Sequence, residues 1–113
     1  MIKIYHNPRC SKSREAVQLL EAEELAFEIV DYLKQPPTVD ELKDLIKMLD
    51  IAPIELVRVK ETIWKENYQG KDLSSEEIIA ALHAHPRLIE RPIVVRENQA
   101  IIGRPPVLIK NIL

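Results

Sequence analysis

One cysteine, one tryptophan, one phenylalanine and two glycines are all that this chain of 113 residues carries of those types. A single cysteine excludes an internal disulfide framework and any zinc site built from several thiolates. A lone free thiol also suits a reducing compartment. With so few rings, the core must be aliphatic. No apolar run approaches the ~20 residues of a membrane helix, and the opening MIKIYHNPRC is too short an apolar stretch for a signal peptide. These absences lead to the expectation of a cytoplasmic protein with no membrane partner. An excess of positive charge is missing too. A net charge of -2 argues against sequence-independent binding to nucleic acid. What is present, 46% hydrophobic and 30% charged residues, is the composition of an ordinary globular chain. Its length suits a single domain over residues 1–113, with a core that needs no staples.

Hydrophobic patterning predicts the order of elements. IKIY (2–5) is β-branched and aromatic, and reads as a buried strand stopped by Asn7-Pro8. Ala16, Val17, Leu19 and Leu20 recur at helical spacing, which predicts a helix over about 11–23. AFEIV (26–30) reads as a second strand, so the three form a βαβ unit with a parallel pair. After the QPPT break, Thr38 and Glu41 make a capping box, and Leu42, Leu45, Ile46 and Leu49 follow on one helical face. PIELV (53–57) reads as a short helical turn opened by proline. Residues 58–73 are polar and give no clear assignment. Ser74 and Glu77 make a second capping box for a helix that ends near Pro86. PIVVR (92–96), the turn ENQ and AIIG (100–103) predict a hairpin, and RPPVLIKNIL a last helix. The expected fold is an α/β, thioredoxin-like arrangement: a mixed four-stranded sheet with flanking helices and an all-helical insertion at about 38–85.

The only thiol sits in HNPRCSKSRE (6–15), between the first strand and the first helix. A free cysteine has a pKa of about 8.5, and its thiol form is a poor nucleophile. A helix N-terminus and nearby cations both favour the thiolate. Cys10 precedes a helix, and Arg9, Lys12 and Arg14 lie within four residues of it. His6 and the hydroxyls of Ser11 and Ser13 are further candidate donors. Two readings of Cys10 stay open on this pattern: a reactive thiolate, or a small buried hydrophobe.

Arg58, Arg91 and Arg104 stand at element edges, the last two directly before proline. The planar, always-charged guanidinium fork suits an oxyanion. A solvated surface charge is the alternative for each. His83 and His85 lack a third ligand in sequence, so no metal site is expected. Trp64 and Tyr68, at i and i+4, read as a packing pair.

Taken together, IYHNPRCSKSR, DYLKQPPTVDELKDLI, ELVR, HPRLIERPIVV and IIGRPP make the chain resemble the glutaredoxin-coupled arsenate reductase family, which is of thioredoxin-like fold. The resemblance runs through nearly the whole chain. It implies that Cys10 attacks the arsenic of bound arsenate and that Arg58, Arg91 and Arg104 hold the oxyanion. It implies that His6 tunes the thiolate, to which the residue pattern adds Ser13 and Arg14, and that Pro92, which opens the third strand, is a cis proline turning the Arg91 region toward Cys10. It further implies glutathione as co-substrate, glutaredoxin as partner and no bound cofactor. Having one cysteine agrees with an external resolving thiol. Ser11 and Lys12 after the cysteine, and an end soon after RPP, point to a short single-cysteine subgroup.

Two other functions share these residues. One is a thiol-disulfide oxidoreductase or deglutathionylating enzyme acting on another substrate. The other is a redox-related regulatory binding protein of the same fold. Such regulators commonly carry a Cys-x-x-Cys switch, and here Ser13 occupies the fourth position.

Overall fold

A computed structural model describes all residues 1–113. The chain divides into two compact units, Met1–Gln35 with Arg91–Leu113, and Pro36–Glu90. No helix is long and apolar enough to cross a membrane.

The first unit is built on β1 (Ile2–Tyr5), α1 (Ser11–Ala22), β2 (Phe27–Val30), β3 (Ile93–Arg96) and β4 (Gln99–Ile102). The strands form one mixed sheet in the order β2-β1-β3-β4. β1 and β2 run parallel with Ile4 opposite Ile29, and β1 and β3 run antiparallel with Ile4 opposite Val94. Because strand side chains alternate between faces, Ile2, Ile4 and Val94 share one face. There they meet Ala16 and Leu20 of α1 and Ile109 of the C-terminal segment in a cluster of aliphatic side chains, with Phe27 packed against it. This is the βαβ unit and hairpin expected from the pattern. β4 begins one residue earlier than expected, at Gln99, which pairs with Arg96. That leaves a two-residue connection in which Glu97 takes φ 56°, in the left-handed region.

The C-terminal segment differs from expectation in kind. Pro106–Ile112 is a 3-10 helix, not an α-helix. Leu108 N–H bonds the carbonyl of Pro105, three residues back. Consecutive prolines at 105 and 106 have no N–H to offer, and the β-branched Val107 and Ile109 disfavour regular α-helix.

In the second unit, α2 (Val39–Leu49) starts at Thr38. Thr38 Oγ1 accepts the Glu41 N–H at 3.1 Å, and Glu41 Oε1 accepts the Thr38 N–H at 3.1 Å. The Ser74–Glu77 box opens α4 (Ser75–Ala84) in the same way. α4 lies against α2 and against two 3-10 turns, Pro53–Leu56 and Pro86–Leu88. One isolated antiparallel bridge pairs Val57 with Ile89 near the end of the unit. The unassigned stretch contains α3 (Thr62–Asn67), which is six residues long. It is held by the buried Trp64, whose ring stacks on Tyr68 at 5.2 Å. A helix of under two turns with one buried anchor is too short for periodicity to reveal.

Candidate active site

Cys10 is the residue that begins α1, with extended backbone (φ -96°, ψ 123°) and no side-chain capping bond of its own. Its N–H bonds Asn7 O at 3.0 Å, and its carbonyl accepts the Arg14 N–H at 3.0 Å. The Asn7–Cys10 turn therefore presents the half-buried sulfur to the helix's first free N–H groups.

The thiol is held below its ordinary range. Burial works against this by pushing it up. The Ser13 N–H, the hydrogen bonding and charge of the Arg91 guanidinium, and the Lys12 N–H together outweigh burial. Arg104 Nη1 lies 3.9 Å from Cys10 Sγ and donates to the Arg91 carbonyl at 3.1 Å. Two arginines that lie more than 80 residues along the chain thus meet at one sulfur.

This differs from what the local sequence suggests. Of the three neighbouring cations, none brings its side chain to the thiol. Arg14 Nη1 donates to Pro8 O at 2.9 Å, Lys12 Nζ pairs with Glu15 at 3.8 Å, and Arg9 is exposed. Lys12 and Ser13 contribute through their backbone amides. The Ser13 hydroxyl is not a donor to the thiolate. It is fully buried, accepts the Asn7 N–H at 3.0 Å and shares a 2.6 Å hydrogen bond with His6 Nδ1. His6 is accordingly tied to the loop, and burial holds its pKa low, helped by Arg14 and opposed by Asp31. A neutral imidazole clasping Ser13 keeps the cysteine turn fixed on α1.

The Arg91–Pro92 and Arg104–Pro105 bonds are both cis. Gly103 packs where no side chain fits: a Cβ there would sit 2.9 Å from Ile109 Cγ2 and 3.1 Å from Pro92 Cγ. Its N–H bonds Pro92 O at 2.8 Å. Gly103 thus lets the strand that delivers Arg104 close on the proline that follows Arg91. Its signal in the sequence was only its rarity. Arg58 belongs to the second unit, where its guanidinium pairs with Glu61 at 3.5 Å and Glu90 at 3.6 Å.

The ArsC family model matches residues 5–112. The chain belongs to the ArsC family. Its fold is thioredoxin-like, as the resemblance implied. An arsenate reductase of Neisseria meningitidis is 45% identical over 106 residues, 92% of this chain and 91% of the relative. An Escherichia coli protein, the uncharacterized YfgD, is 49% identical over 107 residues, 93% of this chain and 90% of the relative. The solved arsenate reductase from Vibrio cholerae superposes with a TM-score of 0.95 at 46% identity, covering 99% of this chain and 97% of its own.

A lowered thiol in an ArsC chain has a direct consequence for reactivity. Alkylation of Cys10 by iodoacetamide should reach half its maximal rate at a lower pH than in the urea-unfolded chain. A coincident midpoint would show that the amides and Arg91 do not favour the thiolate. The sign carries over to stability. The folded state prefers the ionised thiol, so this contribution is full above the unfolded-chain pKa and is lost as pH falls through the folded-state value.

Proposed function

We propose that this chain is a glutathione- and glutaredoxin-dependent arsenate reductase. The observation that carries the reading is the meeting of Cys10 with the α1 amides, Arg91 and Arg104. A nucleophile and cationic forks converge there, and Arg91 Nε is buried with no hydrogen-bond partner. A buried donor without an acceptor is costly, and an oxyanion beside the thiolate would satisfy it. Relatives of 45% and 43% identity named arsenate reductase support the substrate.

In this reading the Cys10 thiolate attacks arsenic(V). A sulfur–arsenic bond forms, and one arsenate oxygen is protonated and leaves as water. Glutathione thiolate then attacks the Cys10 sulfur. A sulfur–sulfur bond forms, the sulfur–arsenic pair passes to arsenic, and arsenite leaves. Glutaredoxin removes the glutathionyl group by thiol–disulfide exchange and frees Cys10. Arg91 and Arg104 stabilise the anion and the charge that develops on it. Arg58 is assigned to the same oxyanion on the resemblance alone. No cofactor is bound, and the reaction belongs to the cytoplasm, where thiols stay reduced.

The test is NADPH oxidation coupled through glutathione reductase. It should require arsenate, glutathione and glutaredoxin together, with one arsenite formed per NADPH. No arsenate-dependent oxidation, with Cys10 still alkylated fast at neutral pH, would move the chain to thiol-disulfide exchange with another substrate.

A further inference from the structure

The turn that carries Cys10 has a second side. Asn7, Pro8 and Arg9 form one wall of a groove of about 360 Å³, and Asp31, Leu33 and Lys34 form the other. That volume lies at the small end of the ~300–1,000 Å³ common for small-molecule sites. The groove and the nucleophile are parts of one turn, because Asn7 O accepts the Cys10 N–H. Both walls are fixed. Asn7 Oδ1 accepts the Arg9 N–H at 3.0 Å. Asp31 Oδ1 accepts the N–H of Leu33 at 3.2 Å and of Lys34 at 3.4 Å.

The charges in this groove are in no ion pair, although Asp31 caps its own turn and acts on His6. Ion pairs form between Lys12 and Glu15, between Arg58 and both Glu61 and Glu90, and between Lys110 and Glu23. Arg9, Asp31 and Lys34 are in none of them. Two exposed cations, one carboxylate and two apolar side chains therefore line a cleft on the turn that carries Cys10.

We propose that this groove is the subsite that holds glutathione against Cys10. The proposal rests on the glutathione-dependent reading above. At neutral pH the tripeptide carries two carboxylates and one ammonium, the complement of Arg9, Lys34 and Asp31. Its thiol sits on the central residue, between the charged ends, and Cys10 follows Arg9 directly. Pro8 and Leu33 offer apolar surface to its methylene groups.

Exchange with disulfides tests the groove without arsenate. The Cys10 thiolate attacks one sulfur of glutathione disulfide, the S–S bond breaks, one glutathione leaves as thiolate and the other stays on Cys10. The exchange rate is compared for glutathione disulfide, neutral hydroxyethyl disulfide and dianionic dithiodiglycolate, in the parent and in Lys34→Glu. Lys34 is exposed, so the variant keeps its fold. Glutathione disulfide should slow about tenfold, the size of one lost charge-assisted contact. The other two should change less than about twofold, since exposed charges are screened by salt. An equal fall with dithiodiglycolate would reduce the effect to a general field, and no fall with any disulfide would remove the subsite. Either result overturns the proposal. If the selective fall appears but the parent shows no arsenate turnover, the groove stands and the arsenate reading fails. Arsenate turnover without a selective fall means the reverse.

Discussion

Replacing Cys10 by serine is expected to abolish arsenate-dependent NADPH oxidation, a loss of roughly a thousandfold or more for removal of a covalent nucleophile. A hydroxyl at this position has no accessible anion, because the amides and arginines that favour a thiolate cannot bring an alcohol into the same range. Nor can it form the sulfur–sulfur bond that lets arsenite leave. The loss should come without damage to the fold. The structural duties of Cys10 are backbone ones, its N–H to Asn7 O and its carbonyl from the Arg14 N–H. Its side chain makes no capping bond at the start of α1, where serine is a favoured residue. Cys10→Ser should therefore melt within about 1 kcal/mol of the parent, the serine cap offsetting the thiolate stabilisation that is lost. Thermal melting by circular dichroism beside the coupled assay checks both halves. Turnover retained in the variant would take Cys10 out of the chemistry.

Arg91→Ala should produce the second largest effect, through two separable routes. Arg91 lowers the thiol by hydrogen bonding and charge, so its loss should move the alkylation midpoint of Cys10 upward. Its buried Nε also goes with it. Removing one donor aimed at a developing oxyanion costs about a hundred- to a thousandfold in rate, or ~2.7–4 kcal/mol. Arg91→Lys keeps the charge but not the planar fork. It should restore much of the thiol midpoint and little of the turnover. Arg104→Ala offers a milder case. Arg104 Nη1 also donates to the sulfur, at 3.9 Å, so its loss should move the midpoint upward as well, by less than the loss of Arg91, and should raise the Michaelis constant for arsenate. Arg91→Ala with unchanged turnover and an unchanged midpoint would show that the anion site lies elsewhere.

Glu61 and Glu90 bear on how Arg58 is read. Both pair with its guanidinium across 3.5 and 3.6 Å, and all three side chains are only partly exposed. An arginine already held by two carboxylates is oriented and partly neutralised. Its buried Nε, like that of Arg91, has no hydrogen-bond partner.

Much of the architecture was legible in the sequence for simple physical reasons. The apolar stripe Leu42, Leu45 and Ile46 and the Thr38–Glu41 box specify α2 within a few residues, because both are local hydrogen-bond and packing rules. IKIY, PIVVR and their flanking breakers mark strands for the same reason. Cys10 at a strand-to-helix junction could be picked out as the candidate reactive position, since helix amides act on whatever stands first. Local rules failed where structure depends on absent donors, as at the 3-10 segment after Pro105; at α3 they caught the Trp64–Tyr68 packing pair and not the helix bounds.

What only the tertiary structure decided is which charges reach the sulfur. The sequence neighbours Arg9, Lys12 and Arg14 were the obvious candidates, but side chains on a helix and on a turn radiate in different directions. Their charges go to the groove, to Glu15 and to Pro8 O. The side chains at the thiol come instead from Arg91 and Arg104, delivered by the hairpin β3–β4 and by the close approach at Gly103. Nearness along the chain is a property of the sequence. The direction in which a guanidinium points is set by the register of a sheet, and that register exists only once the strands have paired.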